Sequence, residues 1–279
     1  MSFRPHPALA ATLTLACLAA PTARAEEPLR IAGTGTAVAA LNRVGTAAQQ
    51  GGAAAVRLQV LPSLGSTGAI HAVADGAIDL GVTGRPLRDA ERARGLAERE
   101  VARTPFVFAV GPRVGVAVLT TDDLVAIYQG TRLTWPDGQR VRPVLRPEAD
   151  SDTEILRAIS PEMAAAVDAA ARRPGMLLGV TNVECNEIVA RSPGSIGPTT
   201  LLQIRSEPHP LRPLSWNGIE PTLENLASGR YPLVKSIRLV YRSPAPEGVR
   251  KFVAYLGSPA GRSLLRELGA LPLDFPPAE

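Results

Sequence analysis

The chain of 279 residues is poor in thiols, imidazoles and amines: it has two cysteines, three histidines and, as lysines, only Lys235 and Lys251. Thiols and imidazoles so few, in no metal-ligand spacing, exclude a zinc module, an iron–sulfur protein and a disulfide scaffold. No metal or cofactor is expected. A block of one charge sign is also missing, since 30 basic residues stand against 26 acidic ones along the whole length. A dedicated nucleic-acid binder shows a basic stripe, so that class is excluded as well. The 25 glycines and 26 prolines follow no period, which removes collagen and linker proteins. What is present is 45% hydrophobic residues, enough for one large or two medium cores.

The amino end reads MSFRPHPALAATLTLACLAAPTARAEE. Arg4 precedes an apolar run over 8–20, shorter than the roughly 20 residues of a permanent membrane span. Ala23-Arg24-Ala25 then has the small-x-small form that a signal peptidase cuts. Residues 1–25 are read as a signal peptide cleaved before Glu26, and the mature protein as periplasmic. Lipid anchoring at Cys17 is the competing reading, but Thr14 stands where a bulky apolar residue is usual. Cleavage leaves Cys185 alone, read as a small buried hydrophobe on a helix.

From Leu29 onward short β-like runs alternate with helical periods. LRIAG precedes a helix from about Ala37, VRLQVLP a helix from about Thr67, and IDLGV a helix near Leu87, before the apolar run FVFAV. This is the rhythm of an α/β sheet. A second series follows: TTDDLVAIYQG as a helix capped by Thr121, VRPVLR as a strand and DTEILRAIS as a helix. Residues 205–222 are proline-rich and read as connecting chain. SIRLVYR, PEGVRKFVAYLG and SPAGRSLLRELG then read as a strand and two helices.

Three places share one layout, in which a strand ends in small hydroxylated residues or glycine and a helix begins at once: IAGTGTAVAAL, VLPSLGSTGAIHAV and LRPEADSDTEIL. The first N–H groups of a helix lack intrahelical partners and carry the positive end of its dipole, so each junction favours an anion. Gly35 and Gly65 permit close backbone approach, and Thr36, Ser66, Ser151 and Thr153 offer hydroxyl donors. Ordinary helix capping accounts for any one of these junctions taken singly. Arg85 and Arg146 stand at strand ends, and a guanidinium's planar fork suits a tetrahedral oxyanion or, equally, a salt bridge. GTGTAVA lacks the third glycine of a dinucleotide fingerprint and no GK[ST] occurs, which removes both nucleotide readings. His71 and His209 have no nucleophile or carboxylate motif beside them, so catalysis finds no support.

These motifs, in this order and spacing, resemble the periplasmic phosphate-binding proteins of bacterial ABC importers. GTGT at 33–36 and GSTGAI at 65–70 are similar to the family's first two phosphate loops, and DLGVTGRPL at 79–87, with Thr83 and Arg85, to the segment that follows. TDDLVAIYQGTRLTW at 121–135 and GRSLLRELGALPL at 261–273 also resemble family stretches. Arg146 with Ser151 and Thr153 resembles the arginine and SGT loop of the second lobe. The most specific likeness is PTLENLASGRYPLVKSIRLVYR at 221–242. The resemblance implies a two-lobed α/β fold, each lobe a mixed sheet flanked by helices, with lobe 1 formed by 28–111 plus 214–279 and lobe 2 by 112–213. It implies a ligand set of Gly35, Thr36, Ser66, Thr67, Thr83, Arg85, Arg146, Asp150, Ser151, Asp152 and Thr153.

Two departures stand out. Gly84 occupies the place where family members that select phosphate with a carboxylate carry it, and ADSDT replaces GSGT, adding Asp150 and Asp152. One of these aspartates is expected either to cap the helix or to accept a hydrogen bond from protonated phosphate. The function expected is that of a monomeric exported binding protein, not an enzyme. It would enclose a small oxyanion, phosphate foremost, and deliver it to a membrane permease or a sensor. Two other readings stay open: a non-transport interaction or signalling protein with a degenerate cleft, and an exported phosphate-ester hydrolase on the same scaffold.

Overall fold

A computed structural model describes residues 27–50 and 56–278. The signal segment 1–25, its cut before Glu26 and Cys17 lie outside the described residues. The chain opens with β1 (Leu29–Gly33), α1 (Gly35–Ala48), β2 (Leu58–Val60), α2 (Gly65–Ala74), β3 (Leu80–Thr83), α3 (Asp89–Arg92) and β4 (Leu96–Val110). It continues through β5 (Val118–Leu119), α4 (Thr121–Gln129), β6 (Arg142–Leu145), α5 (Ser151–Arg157), α6 (Pro161–Ala171), β7 (Leu177–Leu178), α7 (Asn182–Arg191), β8 (Ser195–Thr200) and α8 (Leu201–Ser206). It closes with β9 (Arg212–Pro213), β10 (Ser215–Trp216), α9 (Leu223–Ala227), β11 (Val234–Arg242), α10 (Glu247–Gly257), α11 (Pro259–Glu267) and β12 (Leu271–Pro272).

The main sheet has the order β2-β1-β3-β11-β4-β8-β6-β7. On one side β1 is parallel to β2 and β3, and β11 runs antiparallel to both β3 and β4. On the other side β6 is parallel to β7 and β8, and β8 is antiparallel to β4. One strand serves both sides: β4 pairs with β11 over 96–105 and with β8 over 106–110. The resulting fold is the two-lobed α/β arrangement.

Apolar packing divides in the same way. One buried cluster joins Ile31, Val82, Val101 and Ala102 to Ile237, Phe252 and Leu268, while another joins Phe106, Phe108 and Leu124 to Leu156, Trp216, Tyr231 and Leu233. Along β4 membership changes between 102 and 106, and near the start of β11 between 233 and 237, so Phe106, Val107, Phe108 and Val110 and the residues Leu214, Trp216, Tyr231 and Leu233 pack with the second cluster, while Leu202 of α8 packs with the first.

Several local features differ from the sequence expectation for identifiable reasons. FVFAV is only the last third of a 15-residue strand. Its earlier part carries Glu98, Arg99, Glu100 and Arg103, whose charges obscure the strand pattern. In the sheet Glu100 meets Arg103 and Arg238, and Glu98 meets Arg92. The helix near Leu87 is the four-residue turn α3. Thr120, not Thr121, caps α4: its Oγ1 accepts from the Asp123 N–H at 3.1 Å and its N–H donates to the Asp123 carboxylate. The proline-rich connection contains the two-residue strands β9 and β10. Cys185 is fully buried on α7, and burial pushes its thiol up to about 12, so it is inert as a nucleophile.

Candidate anion-binding site

The N-termini of α2 and α5 open onto one cavity of about 310 Å³, lined by 63–68 from one side and by Arg146, Pro147, 149–151 and 180–182 from the other. Ser66, Thr67, Arg146, Asp150 and Ser151 of the expected set are in its wall. Ser66 Oγ accepts from the Gly84 N–H at 3.0 Å, which leaves its own proton for donation. The guanidinium of Arg146 is 1% exposed. It is held by a hydrogen bond to the Gly179 carbonyl, by Asp150 at 2.9 Å and by Asp152 at 3.5 Å.

The capping account separates the three junctions. Asp150 caps α5, accepting from the Asp152 N–H at 2.8 Å. The N-cap positions of α1 and α2, Thr34 and Leu64, provide no side-chain cap. Their helix termini therefore keep polar capacity that a ligand can use. Gly35 packs closely here, since a Cβ there would lie 3.0 Å from Asn182 Cβ at the start of α7. The hydroxyl of Thr34 donates to Asn182 Oδ1 at 3.2 Å. Thr36 is completely buried and its Oγ1 has no hydrogen-bond partner.

The rest of the expected set sits outside the cavity wall. Arg85 forks onto Glu91 at 2.7 and 2.9 Å and donates to Thr67 Oγ1 at 3.1 Å. This pair is largely buried, and its hydrogen bonding pulls the Glu91 carboxyl down to about 2. Thr83 Oγ1 donates to the Arg85 carbonyl, and Thr153 Oγ1 to the Pro147 carbonyl at 2.8 Å. These hydroxyls fix the turns that carry the neighbouring arginines. Asp152 has no exposed surface, and its oxygens meet the Lys235 ammonium and Asn182 Nδ2, the latter at 2.5 Å. The geometry thus leaves Asp150 as the aspartate that faces the cavity. Burial, then the nearby Asp152 charge, pushes its carboxyl above the usual range.

A family model described as a PBP superfamily domain matches residues 18–260. The chain belongs to the PBP superfamily. Within it, the phosphate-binding protein PstS of Bacillus subtilis (strain 168) is 24% identical over 216 residues, covering 75% of this chain and 69% of that one. A substrate-binding protein of Clostridium perfringens, solved with bound phosphate, superposes with a TM-score of 0.74 at 17% identity over 89% of this chain and 100% of that one. A phosphate-binding protein from Stenotrophomonas maltophilia gives 0.65 at 14% identity over 89% and 91%.

In this PBP-superfamily chain two residues that sequence reasoning passed over hold the groups around the cavity. Lys235, at the start of β11, passes directly over Gly84: a Cβ at 84 would lie 2.5 Å from Lys235 Cε and 3.0 Å from Ser151 Oγ. Glycine at 84 therefore makes room for a cation. Asn182 links Thr34 to Asp152. The signal for Lys235 was available, because it is one of two lysines and alternates in phase with Ile237 and Leu239 on the buried face of β11. Asn182 gave none, since an asparagine after threonine at a helix start reads as capping.

Proposed function

We propose that the chain is an exported solute-binding protein that encloses a small inorganic oxyanion, phosphate foremost, and passes it to the permease of an ABC importer or to a sensor. The observation that carries this reading is the Arg146 guanidinium, withdrawn from solvent yet forming the wall of a cavity that faces the uncapped N-terminus of α2. A charged donor preorganised at low exposure is worth more to an anion than one in water. The relatives, all phosphate-binding or phosphate-bound, support the choice of ligand. Lobe 1 then comprises the chain up to about 102 together with the part from about 237, with lobe 2 between them. Binding without turnover by a single chain is part of the reading. No described helix is long and apolar enough to cross a membrane.

Calorimetric titration with phosphate, sulfate, molybdate and arsenate tests the proposal. Arg146→Ala should weaken phosphate binding by at least about 2 kcal/mol, roughly 30-fold. Arg146→Lys, which keeps the countercharge for Asp150 and loses the fork, should fall between the two. Absence of saturable oxyanion binding to the wild-type chain overturns the reading.

A further inference from the structure

A second cavity, of about 270 Å³, lies away from the cleft and is lined by Arg132, Arg140, Arg142 and Arg173 with no carboxylate in its wall. The strand β6 separates the two sites. Arg142 opens that strand and Arg146 follows its last residue, Leu145, so at about 3.3 Å rise per residue their backbones stand roughly 13 Å apart at opposite ends.

Ordinary structural duties account for part of this cluster. Arg173 donates through Nη2 to the Tyr128 carbonyl in the last turn of α4, where a cation offsets the helix dipole. Arg132 pairs with Asp123. Those duties leave a remainder. The Arg140 and Arg142 side chains are exposed and make no hydrogen bond or ion pair among the described residues, and Arg173 Nε is buried without a partner. Four guanidiniums against the single Asp123 carboxylate leave three positive charges around one concavity. Like charges gathered over an apolar floor of Ile127, Val141 and Met176 repel one another and focus a positive potential into the cavity.

We infer that this cavity is a second anion site, built for a compact trianion of the pyrophosphate or tricarboxylate class. The charge count sets the valence, and the planar forks suit phosphoryl and carboxylate oxygens alike. The volume, about nine times the ~30 Å³ of a liquid water, admits such a ligand whole.

The test is titration of the full chain at low salt with pyrophosphate and, separately, with citrate. A variant carrying both Arg140→Gln and Arg142→Gln is titrated alongside. Both replaced side chains are exposed, and unchanged inorganic phosphate binding in the double variant verifies that the fold is kept. Saturable binding of either trianion that the two glutamines weaken tenfold or more supports the site, and added salt should weaken it further. The tighter of the two probes then identifies the oxygen class. If neither trianion binds saturably, or if the double variant binds both as the wild type does, the inference is wrong.

Discussion

Lys235 and Asp152 form an ion pair in which neither side chain has exposed surface. The two residues are 83 positions apart, and the pair ties the start of β11 to the first turn of α5. Removing one partner strands the other charge in a medium of low dielectric. Lys235→Met should therefore destabilise the chain by about 3 kcal/mol, the lower end of the usual penalty because Arg146 and Asn182 still face Asp152. Combining it with Asp152→Asn should recover most of that loss. Urea unfolding of both variants decides, and equal stabilities for the single and double variants would contradict the assignment.

Thr36 gives a cleaner separation of stability from binding. Its buried hydroxyl has no hydrogen-bond partner, so Thr36→Val removes an unsatisfied group at nearly constant shape. Unfolding free energy should be unchanged or higher. Phosphate affinity, measured by the same calorimetric titration, should fall about tenfold, and an unchanged affinity would show that this hydroxyl does not reach the ligand.

Asp150 should make sulfate binding pH-dependent. Its carboxyl is already raised by burial and by the Asp152 charge, against the opposing pull of Arg146 and Lys235, and a bound dianion raises it further. Sulfate brings no proton of its own, so its affinity should increase as pH falls from neutrality toward the usual aspartate value of about 3.9. Asp150→Asn keeps the helix cap, should flatten that slope, and should narrow the preference for phosphate over sulfate. Affinities of both anions measured across this range provide the check.

The Arg85–Glu91 pair predicts acid sensitivity. The Glu91 carboxyl sits at about 2 in the folded chain, below its ordinary value of about 4.5. A depressed carboxyl stabilises the fold above its unfolded value, and that contribution is lost as pH falls from about 4.5 toward about 2. Glu91→Gln should cost about 2–3 kcal/mol at pH 7. The gap from wild type should close on acidification, and thermal melts of both chains at pH 7, 4 and 3 would show it.

Much of the architecture could be read from the residues because its signals are local. The alternation around LRIAG and IDLGV, the amphipathic helices near the carboxyl end and the three strand-to-helix junctions all reflect periodicity or first-turn chemistry, which act over a few residues. Long-range pairing hid the rest. Glu98, Glu100 and Arg103 make the first part of β4 look like surface chain until Arg92 and Arg238 are placed beside them.

The same division holds for the candidate site. The sequence alone determined that Ser66, Arg146, Asp150 and Ser151 stand at strand ends and helix starts, where backbone polarity favours an anion. Tertiary structure decided which charges are free to meet one. Arg85 looks as available as Arg146 in one dimension, yet Arg85 closes onto Glu91 outside the cavity wall, whereas Arg146, itself paired with Asp150 and Asp152, forms part of that wall. Asp150 and Asp152 are equivalent in the string ADSDT, yet Asp152 is committed to Lys235 and Asn182 and only Asp150 faces the cavity. A side chain's type sets the charge it can carry, but its partners in the fold set how much of that charge is left for a ligand, and those partners come from distant parts of the chain.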